Sequence, residues 1–260
     1  MGRGIIIMEP RRISRATSDR GTGVDRLLTP NPKEAFDSGR IAGGDQASAY
    51  VDLFFFFDTP TNIDTFYLGY IYGSNAARIQ LYDRSGSSAD YLGQADMMFP
   101  DTPPGHIVLF LDQPRTVTFI NVRVFTAQMQ PAVDAVLSIG VAATGLRFQT
   151  EYGEERGGGG LIEDTGSVER LFGGGFGIDE GVATTGYQWS FGDLQNAERR
   201  QLYQIVKRLR TTRSFLMVEE PSQTEGLNER IHWGMLRGLE VYERINPRDT
   251  KWSFKMHDWG

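Results

Sequence analysis

The side chains of this sequence best suited to acid–base or metal chemistry are three histidines, His106, His232 and His257. None stands at ligand spacing from another, and no His-Glu-x-x-His is present to place two imidazoles on one helical face around zinc. His257 falls on the polar face of an alternating C-terminal segment, where a solvent-facing or hydrogen-bonded structural histidine is expected in preference to a ligand. Cysteine is absent, which removes thiolate metal sites, disulfides and a cysteine nucleophile. Adjacent acids occur at Glu154-Glu155, Asp179-Glu180 and Glu219-Glu220. Neighbours on a strand point to opposite faces, so these pairs read as solvated acidic surface and not as a glycosidase couple. No Gly-x-Ser-x-Gly elbow offers an activated serine. Two glycine runs, Arg156-Gly-Gly-Gly-Gly160 and Phe172-Gly-Gly-Gly-Phe-Gly177, could suggest a phosphate cradle, but no Gly-Lys-Ser/Thr follows either. The second also places Ile178 where a dinucleotide fingerprint needs its third glycine. The expectation is a non-enzymatic chain with no catalytic residues, no cofactor and no metal ligands.

Tyr50, Tyr67, Tyr70, Tyr72, Tyr82 and Tyr91 crowd the first part of the chain. Aromatic platforms stack on sugars and favour interfaces, yet core and sheet-face packing is the simpler use. Near the amino terminus Arg3, Arg11, Arg12, Arg15, Arg20 and Arg26 outnumber Glu9, Asp19 and Asp25, which fits either a solvated coil or an arm docking on an acidic surface. The chain as a whole carries a net charge of −6, which argues against a phosphate-backbone binder, so no nucleic-acid partner is expected. No segment approaches the length of a membrane span, and the opening Ile5–Met8 run is too short for a secretory core.

The elements that would position these residues are mostly strands. Alternating or apolar segments at 51–57, 63–71, 77–82, 107–111, 117–126 and 135–141 are separated by turn signals at Asp58-Thr-Pro60, Gly73-Ser-Asn75, Asp83-Arg-Ser-Gly86, Asp101-Thr-Pro-Pro-Gly105 and Asp112-Gln-Pro114. That spacing suggests a β-sandwich. Leu53-Phe-Phe-Phe-Phe57 is apolar on both faces, as a doubly covered central strand would be, or a strand at an interface. The glycine-dense zone bracketing 162–171 reads as flexible loop or linker. Beyond it, one helix is predicted over 197–210, capped by Asn196, with Leu202, Ile205, Val206 and Leu209 on one face. A buried strand at 215–218 follows, and Gly234 and Gly238 mark a bend or bulge. Tyr187, Trp189 and Phe191, then Trp252, Phe254 and Met256, alternate as half-buried strands. The expected fold class is mainly β with α+β: a sandwich over 1–146 and a small α+β unit with one main helix over 147–260.

Two resemblances sit on these residues. Asp25-Arg-Leu-Leu-Thr-Pro-Asn-Pro-Lys-Glu-Ala-Phe-Asp-Ser-Gly39, Tyr50-Val-Asp-Leu-Phe54, Ile63-Asp-Thr-Phe-Tyr-Leu68, Phe119-Ile-Asn-Val-Arg-Val-Phe125 and Val136-Leu-Ser-Ile-Gly140 resemble the opening loop and core strands of galactose-binding-like, discoidin-type jelly-roll sandwiches. Gly186-Tyr-Gln-Trp-Ser-Phe191, Ser214-Phe-Leu-Met-Val218, Ile231-His-Trp-Gly234 and the 252–259 segment resemble tail structural proteins of long-tailed bacteriophages and prophages, in which a similar sandwich precedes a compact α+β unit. The second resemblance implies a virion protein of the tail tip or baseplate, distal-tail-like, made in the host cytoplasm. It implies a homo-oligomeric ring that joins the tube to peripheral host-recognition components. Its partners would be further copies of itself and other tail proteins, with a host surface saccharide as a further ligand. Usual distal tail proteins place the tube-like domain first, and here the order is reversed. The alternative is a carbohydrate-binding module for bacterial surface glycans. The polar face of the last strand, Lys251, Ser253, Lys255 and His257, is the expected place for contacts with a neighbour.

Overall fold

A computed structural model of the protein describes residues 4–41, 50–72, 76–97, 104–126, 135–151, 159–164, 166–239, 241–246 and 249–259. The expected turns at 73–75 and 101–103, Glu154-Glu155, Arg3 and the first glycines of the 157–160 run lie outside the described residues. Among the described residues the chain is mainly β with a single α-helix, the fold class its alternation predicts. In its first half run β1 (Ile6–Pro10), β2 (Arg15–Ser18), a 3-10 turn at Val24–Leu28, β3 (Phe36–Ile41), β4 (Tyr50–Tyr72), β5 (Ala76–Asp83), β6 (Asp90–Asp96), β7 (Gly105–Thr126) and β8 (Ala135–Gln149). There follow β9 (Gly159–Asp164), β10 (Ser167–Arg170), β11 (Phe176–Asp179), β12 (Ala183–Gln195), α1 (Asn196–Leu209), β13 (Ser214–Val218), β14 (Ile231–Leu236), β15 (Glu243–Arg244) and β16 (Asp249–Asp258).

The segments predicted at 51–57 and 63–71 are one strand, β4, and those at 107–111 and 117–126 are one strand, β7. The two pair antiparallel along their length, with register shifts between Phe56 and Thr61 and between Ile63 and Thr65. Phe55 and Phe66 show what these irregularities do. In a straight strand their Cα atoms would stand about 36 Å apart, yet their rings are 5.8 Å apart. β4 therefore folds over, and its halves face each other across one core that also takes Val51, Leu68, Leu109 and Val122. The phenylalanine run is not covered alike on both faces. Leu53, Phe55 and Phe57 are buried, whereas Phe54 and Phe56 are half-buried. Phe56 stacks on Phe119 at 4.4 Å, with the Arg15 guanidinium 4.2 Å above it.

β1 is the element with no local signal. Ile5, Ile6, Ile7 and Met8 are all apolar, so no period betrays a strand, and the stretch that contains them reads as a solvated coil or a docking arm. In the fold β1 pairs with β8 on one side (Ile6↔Gln149 to Pro10↔Gly145) and with β13 on the other (Ile6↔Val218 to Met8↔Leu216). All four side chains are buried: Ile5 and Ile7 join the core around Trp189, and Ile6 and Met8 join one containing Tyr67 and Trp233. β1 thus stitches the strands before residue 150 to those after it in a continuous sheet, β6-β5-β7-β4-β8-β1-β13-β14-β16-β12-β9.

α1 packs Leu202, Ile205, Val206 and Leu209 inward, as the spacing predicts. Its cap lies one residue earlier than Asn196. Gln195 and Glu198 form a capping box, in which the Gln195 backbone N–H donates to Glu198 at 2.9 Å. β16 lies between β12 and β14, and Lys251, Ser253, Lys255 and His257 are half-buried along it, with the Ser253 hydroxyl 2.7 Å from that of Ser190. Gly234 is no bend. It sits within β14 opposite Asp258, where a Cβ would collide with the His257 carbonyl oxygen.

Candidate functional site

Two features stand out from ordinary packing: a polar cluster where the two sets of strands meet, and a hairpin whose apolar side chains are largely exposed. The cluster centres on His232 in β14, whose chain neighbours Ile231 and Trp233 are buried on the opposite face. His232 Nδ1–H donates to Asp258 Oδ2 at 3.1 Å and Nε2–H to Glu219 Oε1 at 2.6 Å. The other two carboxylate oxygens are also engaged: the Tyr70 hydroxyl donates to Asp258 Oδ1 at 3.0 Å, and the Tyr187 hydroxyl donates to Glu219 Oε2. The Tyr187 ring stacks on His232 at 4.7 Å. Burial opposes a charge on His232, but the hydrogen bonds and charges of Asp258 and Glu219 outweigh it and raise its pKa to about 9. At neutral pH His232 is a cation held by two acids.

A second histidine beside it is tuned oppositely. Burial lowers His106 to about 4, reinforced by the neighbouring His232 charge and only partly offset by Asp258. His106 Nδ1 and the Tyr67 hydroxyl share a 2.9 Å hydrogen bond, and the His106 backbone N–H donates to Asn228 Oδ1 at 2.7 Å. Burial also raises the Tyr67 and Tyr70 hydroxyls, so both keep their protons. The backbone is bent to deliver Tyr70. Its φ is 54°, a conformation rare for a bulky residue, at the register shift between Leu68 and Ile71. The preceding Gly69 is needed because a Cβ there would collide with the Tyr67 hydroxyl.

By sequence alone Glu219 belongs to a solvated acidic pair, and nothing draws a site through His232. In the fold Glu219 is largely buried, with its side chain 14% exposed, because it follows directly on β13 and reaches His232 of the paired strand β14. Of the tyrosine group, Tyr67 and Tyr70 enter the cluster. Tyr50 and Tyr82 flank Arg123, which lies 4.0 Å above the Tyr50 ring and pairs with Asp52 at 2.9 Å. Tyr72 and Tyr91 are exposed. A cleft of about 540 Å³ opens beside the cluster, lined by Tyr70, His106, Asn228, His232 and Asp258, with Leu161 and Ile162 as a wall. The saturated hydrogen bonding makes the cluster a fastening between distant strands, not a set of free acid and base groups. No grouping of acids and histidines among the described residues has the arrangement of a metal site.

The second feature corrects the reading of the glycine-dense zone. β9 pairs with β12 at the end of the sheet, and their continuation is the hairpin β10–β11, a separate two-stranded sheet. Its tip at 171–175 is closed by Leu171 N–H to Gly175 O and Gly174 N–H to Leu171 O, with Gly174 at φ 89°. Val168 faces Ile178 and Arg170 faces Phe176 across the ladder, so Val168, Phe176 and Ile178 share one face with Arg170. Those three are 67%, 66% and 71% exposed, and Phe172 at the tip is fully exposed. An isolated two-stranded hairpin is marginally stable in water, and an unpaired apolar face on one marks a contact surface.

No protein-family model matches the chain, and no curated protein matches it. Among solved structures, about half of the chain is similar to carbohydrate-binding modules. The CBM32 of AlyQ, in complex with 4,5-unsaturated mannuronic acid, is 12% identical over 52% of this chain and 97% of the module, with a TM-score of 0.40. A CBM32 from a family 31 glycoside hydrolase of Clostridium perfringens is 11% identical over 52% and 97%, at 0.37. The lectin-binding domain of lectinolysin with Lewis b is 11% identical over 54% and 98%, at 0.38. Likeness at this level decides the role of no residue here.

Proposed function

We propose that the chain is a non-enzymatic structural protein that works by assembly, a virion tail component as its resemblance to bacteriophage tail proteins implies. In this reading a sandwich over 1–146 and an α+β unit over 147–260 act as one rigid piece and join further copies. The observation that carries it is the β10–β11 hairpin, whose Val168, Phe176 and Ile178 are largely exposed and whose Phe172 tip is fully exposed. Burying each such side chain is worth roughly 1.5–3 kcal/mol, which gives association a driving force. β1 and the His232 cluster support the reading from inside, since a load-bearing part needs its halves fixed to each other. Sedimentation velocity over a wide concentration range tests it. The wild-type chain should associate as concentration rises, and the triple variant Phe172→Ser, Phe176→Ser, Ile178→Ser should stay monomeric. A wild-type chain that is monomeric throughout would remove the proposal.

A second reading, saccharide binding, is favoured by the cleft beside Tyr70 and His106, where aromatic and polar groups converge in a volume fit for one or two sugar rings. Glycan-array binding by the wild-type chain that Tyr70→Ala abolishes would establish it, and no binding to densely displayed sugars would dismiss it.

A further inference from the structure

Resting on the saccharide reading of the cleft beside Tyr70 and His106, we infer that this cleft selects a neutral sugar carrying an N-acetyl group. The acetamido carbonyl would accept from His106, its N–H would donate to Glu229, and its methyl group would pack on Leu161 and Ile162. The role of His106 follows from where the protons lie. Tyr67 is fully buried, and its hydroxyl lies 2.9 Å from His106 Nδ1. A buried hydroxyl proton has to be donated, and among the described residues Nδ1 is the hydrogen-bond partner of that hydroxyl, so Nδ1 accepts. A neutral imidazole that accepts at Nδ1 carries its proton on Nε2, and burial keeps His106 neutral. Nε2–H has no partner among the described residues, and the ring lines the cleft. The cleft therefore presents an unpaired N–H donor.

Most polar side chains around that donor are already engaged. His232 donates both its N–H groups to Asp258 and Glu219, and the Tyr70 hydroxyl donates to Asp258. Asn228 Oδ1 accepts from the His106 backbone N–H at 2.7 Å, and Asn228 Nδ2 donates to Pro104 O at 3.2 Å. These two bonds tie the 3-10 turn Leu227–Arg230 to the start of β7 and set the next residue, Glu229, at the cleft. The Glu229 side chain is exposed and forms no ion pair or hydrogen bond among the described residues, so its carboxylate is free to accept. On the β9 side Leu161 is half-buried and Ile162 is exposed. A donor, an acceptor and an apolar wall around about 540 Å³ complement the C=O, N–H and CH3 of an acetamido group. Charge argues against an acidic sugar. The lining acids are Asp258 and Glu229, and the lining cation, His232, is held between two carboxylates.

Isothermal titration of the full-length chain tests this with methyl glycosides of N-acetylglucosamine and N-acetylgalactosamine, of glucose and galactose, and of glucuronic acid. At least one N-acetyl sugar should bind about tenfold more tightly than its hydroxyl counterpart, and the glucuronide should bind most weakly. Glu229→Ala, at an exposed position, should erase most of that preference with an unchanged melting temperature. In imidazole 1H–15N spectra His106 should be the Nε2–H tautomer in the free chain, and that signal should shift as the N-acetyl sugar is added. Equal binding with and without the N-acetyl group, a glucuronide bound as tightly, a preference that survives Glu229→Ala, an Nδ1–H tautomer or an unmoved His106 signal would each overturn this inference, while sugar binding lost in Tyr70→Ala would leave the saccharide reading standing. If none of the glycosides binds, the saccharide reading falls first and this inference with it.

Discussion

Alkaline pH should loosen this protein through one side chain. His232 carries a folded pKa of about 9, against about 6.5 for an unfolded histidine. A base whose pKa is raised on folding contributes stability that is fully present below pH 6.5 and lost as pH rises through 9. The difference, about 2.5 pH units at ~1.4 kcal/mol each, is worth about 3 kcal/mol. His106 has the opposite sign. Held at about 4 by burial, it stays neutral in the fold while the unfolded chain takes up a proton, so stability is lost as pH falls from 6.5 towards 4. The two together place their combined optimum near pH 6.5. The assay is denaturant unfolding of wild type and His232→Gln at pH 6.5 and pH 10, read as the difference between the two proteins so that lysines and tyrosines titrating alike in both cancel. At pH 6.5 the variant leaves two largely buried carboxylates without their cation and should lose about 3–5 kcal/mol. At pH 10 the wild-type histidine has itself lost its charge, so the gap should shrink by about 3 kcal/mol. An equal gap at both pH values would refute the charged-histidine clamp.

Other outcomes follow from packing. Met8→Ala should destabilise by about 2–5 kcal/mol, since Met8 is fully buried in the seam between β8 and β13, and unfolding followed by tryptophan fluorescence would measure it. A loss under 1 kcal/mol would mean that β1 is not the stitch described. Gly234→Ala should lower stability by about 3 kcal/mol, because the colliding atom is the His257 carbonyl of the paired strand, while Gly86→Ser, where a Cβ meets open space, should lose much less by the same assay.

Much of this was legible in the residues. Tyr187, Trp189 and Phe191 and their partners Phe254 and Trp252 alternate as half-buried strands do, and α1 carries its buried face at helical spacing. What escaped has a common cause: contacts distant in sequence leave no local period. Ile6, Ile7 and Met8 of β1 are all buried, so it shows no alternation, and its partners lie about 140 and 210 residues away. The 58–60 and 112–114 turn signals read as breaks between strands, whereas two paired strands bend there together. The His232 cluster joins residues 70, 187, 219, 232 and 258, with no spacing to announce it. One clue was available: a histidine between two core residues on a strand must be satisfied by something. The hairpin was hidden by its glycines, which signal flexibility as readily as a tight turn.

The central claim is that the hairpin is a contact surface for another copy. Hydrogen exchange read by mass spectrometry, on the full-length chain at low and at high concentration, tests it most directly. The account predicts that amides of 167–179 exchange rapidly in dilute protein and become protected as concentration rises. Exchange at 167–179 that is the same at every concentration would contradict it.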